Sequence, residues 1–178
     1  MKQTSVRAIG FATAVLSLLS PPALKAEPVD AVVVSFTGSA EAAPPQSTVY
    51  LPLAKGERLS AGSTVRTGTG GSAILQTTPG SAIDLGPDSI LKINELAFHE
   101  AGGAVTERKA RLDLTSGVVN ALIDPSTPKV TDFEVDTPQG VAAARGTFYT
   151  VVVRDGKTYT LVGEGKVAAV AAHSRGSL

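Results

Sequence analysis

From Val49 onward the chain alternates apolar and polar residues with a period of two, in short runs cut by Gly, Pro, Asp and Ser. Such alternation shows one face to a core and the other to water, as a half-buried strand does. The runs are Thr64–Thr67, Ala73–Gln76, Ala82–Leu85, Ile90–Ile93, Ala110–Leu114, Val118–Ile123, Phe133–Val135, Thr147–Val153 and Thr158–Val162. An earlier run, Ala31–Phe36, reads as a strand, and the Ala/Glu/Pro/Gln/Ser stretch Ala40–Ser47 reads as an exposed loop. No segment after the first 26 residues keeps a helical period, so the expectation is an all-β fold of many short strands.

The filling of that fold is thin. The chain has no Cys or Trp and only 5 Phe and 3 Tyr, so Val, Leu, Ile and Ala must make the core. This favours a compact two-sheet sandwich or a flattened β-solenoid of short strands over a wide barrel holding a ligand. A small echo, Gly71-Ser72-Ala73-Ile74 and Gly80-Ser81-Ala82-Ile83, predicts successive strands in similar register, with Leu75 and Leu85 packing inward. Two copies fall short of the three or more units of a repeat protein.

The first residues read as an address. Lys2 and Arg7 precede an apolar run, Ala8–Leu19, which Ser20-Pro21-Pro22 breaks before the small residues Ala23 and Ala26. This is the layout of a secretory signal peptide, 1–26, cleaved after Ala26, with Ala23 as the alternative. The expected product is periplasmic or secreted, with a β domain at 27–167 and a tail at 168–178 that is either unstructured or docks as a final strand. The absence of Cys removes a disulfide framework and a cysteine nucleophile. Without the leader, 13 basic and 16 acidic residues remain, a net charge of −3. That balance argues against nucleic acid and against an anionic membrane as partners.

Candidate chemistry is sparse. The segment Thr137-Pro138-Gln139-Gly140 through Ala144, then Arg145-Gly146-Thr147-Phe148, sets one arginine between small residues and a glycine. Arg145 could grip a carboxylate of a partner or a glycan acid. It could equally anchor the fold, paired with an acid of another strand or bonded to carbonyls, and this structural role is the preferred reading for the motif. Asp132, Glu134 and Asp136 share a face if their segment is a strand. That face suits either a hard cation such as calcium or, preferably, a solvated edge.

His99 and His173 are too far apart, without Cys, to suggest zinc, and read as surface residues. Asp84, Asp88, Glu95, Glu107 and Asp113 could serve a glycan-active enzyme, but no spacing singles out an acid and a nucleophile. Gly68-Thr69-Gly70-Gly71 and Gly163-Glu164-Gly165-Lys166 lack the Ser/Thr and the helix of a phosphate loop and read as turns. No catalytic, metal or cofactor site is expected.

Asp136-Thr137-Pro138-Gln139-Gly140-Val141 followed by Arg145-Gly146-Thr147-Phe148 resembles the signature of the FecR domain family. Leu53–Gly56, Leu59, Gly62 and Val65–Gly68 resemble its opening; Ser72-Ala73, Leu75, Gly80-Ser81, Leu85–Pro87 and Ser89 its middle; and Arg111-Leu112, Leu114 and Gly117–Val119 its later part. The resemblance spans about Val32 to Val167. It implies an exported domain that, in better-known members, is the periplasmic part of a membrane-spanning regulator linking an outer-membrane transporter to an anti-sigma segment. Here a leader stands where those segments would be, so the chain is not expected to carry a signal across the inner membrane alone. The leading expectation is a non-enzymatic domain acting by contact with an envelope protein or cell-wall polymer, through strand edges or the loop near Pro44-Pro45. The alternatives are a sensory module of an envelope signalling system, regulating a sigma factor with a separate membrane partner, and a polysaccharide-active enzyme.

Overall fold

The computed structural model describes residues 27–171, so the leader, His173 and the last part of the tail lie outside the described residues. The strands, in chain order, are β1 Glu27–Pro28, β2 Ala31–Thr37, β3 Ala40–Ala43, β4 Leu51–Pro52, β5 Arg58–Leu59, β6 Thr64–Thr67, β7 Ser72–Thr78, β8 Ser81–Leu85, β9 Ile90–Ala101, β10 Ala104–Ile123, β11 Thr131–Thr137, β12 Gly140–Ala144, β13 Phe148–Arg154, β14 Lys157–Glu164 and β15 Val167–Ala171. The fold is all-β. The strands make one continuous sheet rather than two separate ones, because β10 belongs to both of its halves. In one, here the β9 half, neighbours run β4-β3-β6-β9-β10-β11-β12-β15. In the other, the β13 half, they run β5-β2-β7-β8-β10-β13-β14.

All pairings are antiparallel except β10 with β11, where Arg108 lies opposite Thr131. That one parallel pair forces a bend. Straight, Arg108 to Ile123 would span roughly 50 Å, yet the segment returning from Ile123 to Thr131 reaches at most roughly 30 Å. The bend falls at Gly117, whose φ is +94°. A side chain there would collide with the Cα and Oγ of Ser89. Ser89 is fully buried, donates from Oγ to the Gly86 carbonyl at 2.8 Å and accepts the Val118 amide at 2.9 Å. The Thr67 hydroxyl donates to the same Gly86 carbonyl at 2.6 Å and accepts the Ser89 amide at 3.0 Å. Two hydroxyls thus satisfy backbone groups that the bend removes from the ladder.

Both halves turn their inner faces to a single core of Leu, Ile, Val and Ala. Its aromatic centre is Phe133 of β11 against Tyr149 of β13, edge to face with ring centroids 6.4 Å apart. The Tyr149 hydroxyl is buried with no partner among the described residues. Burial, and secondarily the charge of Glu134, hold its phenol above the ordinary tyrosine value.

Three expectations are corrected. Ala40–Ala43 is a strand, not an exposed loop: Ala40, Ala42 and Ala43 are buried while Glu41 points out to Arg66 at 2.6 Å. Only the following Pro44–Ser47 is exposed. Ala110–Leu114 and Val118–Ile123 are two parts of the single strand β10. The echoed segments do not share a register. They form the antiparallel hairpin β7–β8, with Leu75 opposite Ile83, so Ile74 faces out at 38% exposure while Ile83 is 1% exposed. Leu75 and Leu85 do pack inward, each 0% exposed. The last strand begins at Val167 and runs to Ala171, so it crosses the boundary drawn between domain and tail.

Gly117→Ala is expected to cost about 2–4 kcal/mol, because both the left-handed backbone and the Ser89 contact resist a methyl group. Thermal melts followed by circular dichroism would show a midpoint lower by roughly 5–15 °C; an unchanged midpoint would remove Gly117 as the required bend. Tyr149→Phe is expected to keep stability at pH 7 or raise it by about 1 kcal/mol, since it deletes a hydroxyl with no bond to lose. A phenol whose folded value lies above the unfolded 10.0 withdraws stability as pH rises beyond that point. The variant should therefore lose less stability than the parent between pH 9 and pH 12 (about one unit below to two above a free tyrosine), as melts across that range would show.

Candidate contact site

The motif Thr137–Phe148 occupies the two ends of β12 rather than one point. At one end Pro138 and Gln139 turn the β11–β12 hairpin, and the Thr137 hydroxyl donates to the Gly140 carbonyl at 2.8 Å. Thr158 of β14 holds this turn from the other half, donating to the Gln139 side chain at 2.6 Å and bonding Thr137 at 3.0 Å. At the other end the chain crosses from β12 to β13. Gly146, with φ +81°, passes so close to the Cα of Pro125 and the carbonyl of Asp124 that no side chain fits. Thr147 is buried and donates to the Lys166 carbonyl at 3.3 Å, while Phe148 is 44% exposed.

Arg145 is exposed. Among the described residues no carboxylate lies within ion-pairing distance of it and no hydrogen bond engages its guanidinium. The anchoring role expected of it is filled by Arg108, which the sequence reading passed over. The Arg108 side chain is 3% exposed and stands 3.7 Å from the Asp124 carboxylate. Its Nε donates to the Pro79 carbonyl at 2.9 Å, and its Nη1 to the hydroxyls of Thr127 at 2.9 Å and Thr131 at 3.2 Å. Asp124 itself is held below the ordinary carboxylate value, first by the backbone amide of Ser126, then by the Ser126 hydroxyl, and least by Arg108. One arginine thereby ties the β7–β8 turn and the 124–130 return to β10. Parity was the available signal: Arg108 shares its face with Ala110, Leu112 and Leu114, all inward.

Beside Arg145 runs an open groove of about 620 Å³, walled by Asp132 and Glu134, the small residues Ala143 and Ala144, and Lys166 with the start of β15, Val167 and Ala168. Asp132, Glu134 and Asp136 do share a face, but β11 is an interior strand, so they guard no edge. Arg111 engages two of them, Glu134 at 2.8 Å and Asp132 at 3.5 Å. Among the described residues no group of three acidic, His or Cys side chains is arranged to hold a metal ion. With its two acids engaged by Arg111, the groove presents Arg145 and Lys166 without an ion-pair partner among the described residues, a pairing suited to a carboxylate.

The remaining candidates are scattered. Asp84 lies on the outer face of the β13 half, bonded to Asn120 at 3.4 Å. Glu95, paired with Lys109 at 2.9 Å, stands with Glu107 and Asp113 on the outer face of the β9 half. Asp88 sits in a turn with Thr69 at 2.9 Å. No two of them face each other across the groove. His99 lies within β9, half-buried, its Nε2 without a partner among the described residues. The two glycine clusters form the β6–β7 and β14–β15 turns, with Gly70 at φ +72° and Gly165 at φ +92°.

The family model described as FecR protein matches residues 63–168, more than half of the chain. The chain belongs to the FecR family. The match begins at the start of β6 and ends within β15, so it takes in β10, Arg108 and the whole FecR motif. No curated protein and no solved structure matches the chain. The FecR family consists of signalling regulators and is not a known enzyme family.

The two arginines separate by experiment. Arg108→Met is expected to cost about 1–3 kcal/mol by leaving the Pro79 carbonyl without its donor and releasing the Thr127 and Thr131 hydroxyls from β10. Arg145→Ala should stay within about 0.5 kcal/mol of the parent. Urea titration of both variants decides it; equal losses would restore Arg145 as an anchor.

Proposed function

We propose that this FecR-family chain is an exported, non-enzymatic module that works by protein–protein contact at the cell envelope, with Arg145 as its presented residue. The observation that carries this reading is the exposure of Arg145 at the rim of a groove whose acids are already matched to Arg111. An arginine fork recognises a carboxylate bidentately, and arginine is enriched among residues that dominate interface energies. The partner is an envelope protein presenting an acidic side chain or chain terminus. Family membership supports a second, narrower reading, in which the contact serves an envelope signalling system with a separate membrane partner. The polysaccharide-active alternative gains nothing from acids scattered over both halves.

The test is crosslinking in intact source cells, then affinity recovery of the tagged chain and identification of what accompanies it. A specific envelope protein should be recovered with the parent and lost, or bound at least about tenfold more weakly, with Arg145→Glu. A transporter or membrane regulator among the partners supports the signalling reading. Recovery of the chain alone, or of the same partner undiminished by the variant, overturns the assignment of Arg145.

A further inference from the structure

The margins of the sheet are unequal. At one end of the molecule the two halves close with β4 and β5, two residues each, guarded by Pro52 and Arg58. Short edges, proline and charge are the usual protections against strand addition. At the other end the β13 half closes with β14, eight residues long, free of proline and without a second neighbouring strand among the described residues. Its sequence is β-branched and aromatic, and Tyr159, Leu161 and Val162 are 51%, 57% and 47% exposed.

We propose that β14 pairs antiparallel with β14 of a second copy of this chain, extending the β13 half across a two-fold axis. The strand is self-complementary in that arrangement. Tyr159 and Leu161 stand on the outer face, since they pair with Val152 and Thr150, whose neighbours Val151 and Val153 are buried. An axis through Thr160 and perpendicular to the sheet sets Tyr159 of each copy opposite Leu161 of the other, an aromatic–aliphatic cross-strand pair repeated by symmetry. The same register places Thr158 opposite Val162 on the inner face. The two-fold also lets every free backbone group of β14 find its counterpart on an identical edge.

The experiment uses the full chain, exported to the periplasm of an expression host and purified from it, in sedimentation velocity across a wide range of concentration. A concentration-dependent dimer is expected, and Leu161→Lys should raise its dissociation constant at least about tenfold while leaving the circular dichroism spectrum unchanged. Because the described chain has no cysteine, Thr160→Cys provides a second readout that does not depend on weakening the fold. It should form a disulfide-linked dimer under mild oxidation, whereas Val34→Cys, on the outer face far from β14, should not. A monomer at every concentration overturns the proposal. So does a dimer that is insensitive to Leu161→Lys and that the Thr160→Cys substitution fails to crosslink.

Discussion

The bend in β10 is the constraint from which the rest of the structure follows. A strand that serves two halves of one sheet must change direction without leaving its amides and carbonyls unpaired in the core, and Gly117 together with Ser89 does both. The glycine supplies the left-handed backbone and the space, and the buried serine hydroxyl takes over the Val118 amide. Once the strand has turned, Ile123 lies near the level of Arg108 again, and a short return can bring Thr131 alongside. Arg108 then locks that return by bonding Thr127 and Thr131 and facing Asp124. A chain without cysteine needs such closure from hydrogen bonds and core packing, since no disulfide is available to it.

The period-two runs carried the fold class because strands with one buried face leave that trace whatever their neighbours are. They did not carry the topology. Nothing in Ala110–Leu114 and Val118–Ile123 says that they are one strand, because a glycine between two runs marks a turn as readily as a bend. Ala40–Ala43 was hidden by composition: alanine has weak strand preference, and Glu41 and the following prolines looked like solvent. The serine–alanine–isoleucine echo misled for a different reason. Identical words one residue out of step in an antiparallel hairpin point to opposite faces, which Ile74 and Ile83 do.

The candidate site was legible as a motif and not as a geometry. Its residues could be picked out because a lone arginine among Ala and Gly is conspicuous, but conspicuousness favoured burial, on the argument that an isolated charge needs a partner. The buried arginine was instead the inconspicuous one. Arg108 sits in the run Glu107-Arg108-Lys109, where charges are expected to face water, and only its parity with Ala110 and Leu112 sets it apart. A charged side chain on the apolar parity of a strand is a stronger sign of an anchor than a charged side chain standing alone.

Most of the motif around Arg145 has a packing explanation. Pro138 and Gln139 turn a hairpin that Thr158 holds from the other half, Gly146 clears Pro125, Thr147 is buried against the β14–β15 turn, and Ala142 and Ala144 face the core. Each of these would be required of a domain that bound nothing. Among the described residues Arg145 meets none of these needs: it is exposed, it closes no hydrogen bond, and the two acids that line its groove are engaged by Arg111. We read Arg145, which the described fold leaves exposed where the chain crosses from β12 to β13, as the residue that meets another molecule, because the packing of the residues on either side of it lowers the entropic cost of presenting it.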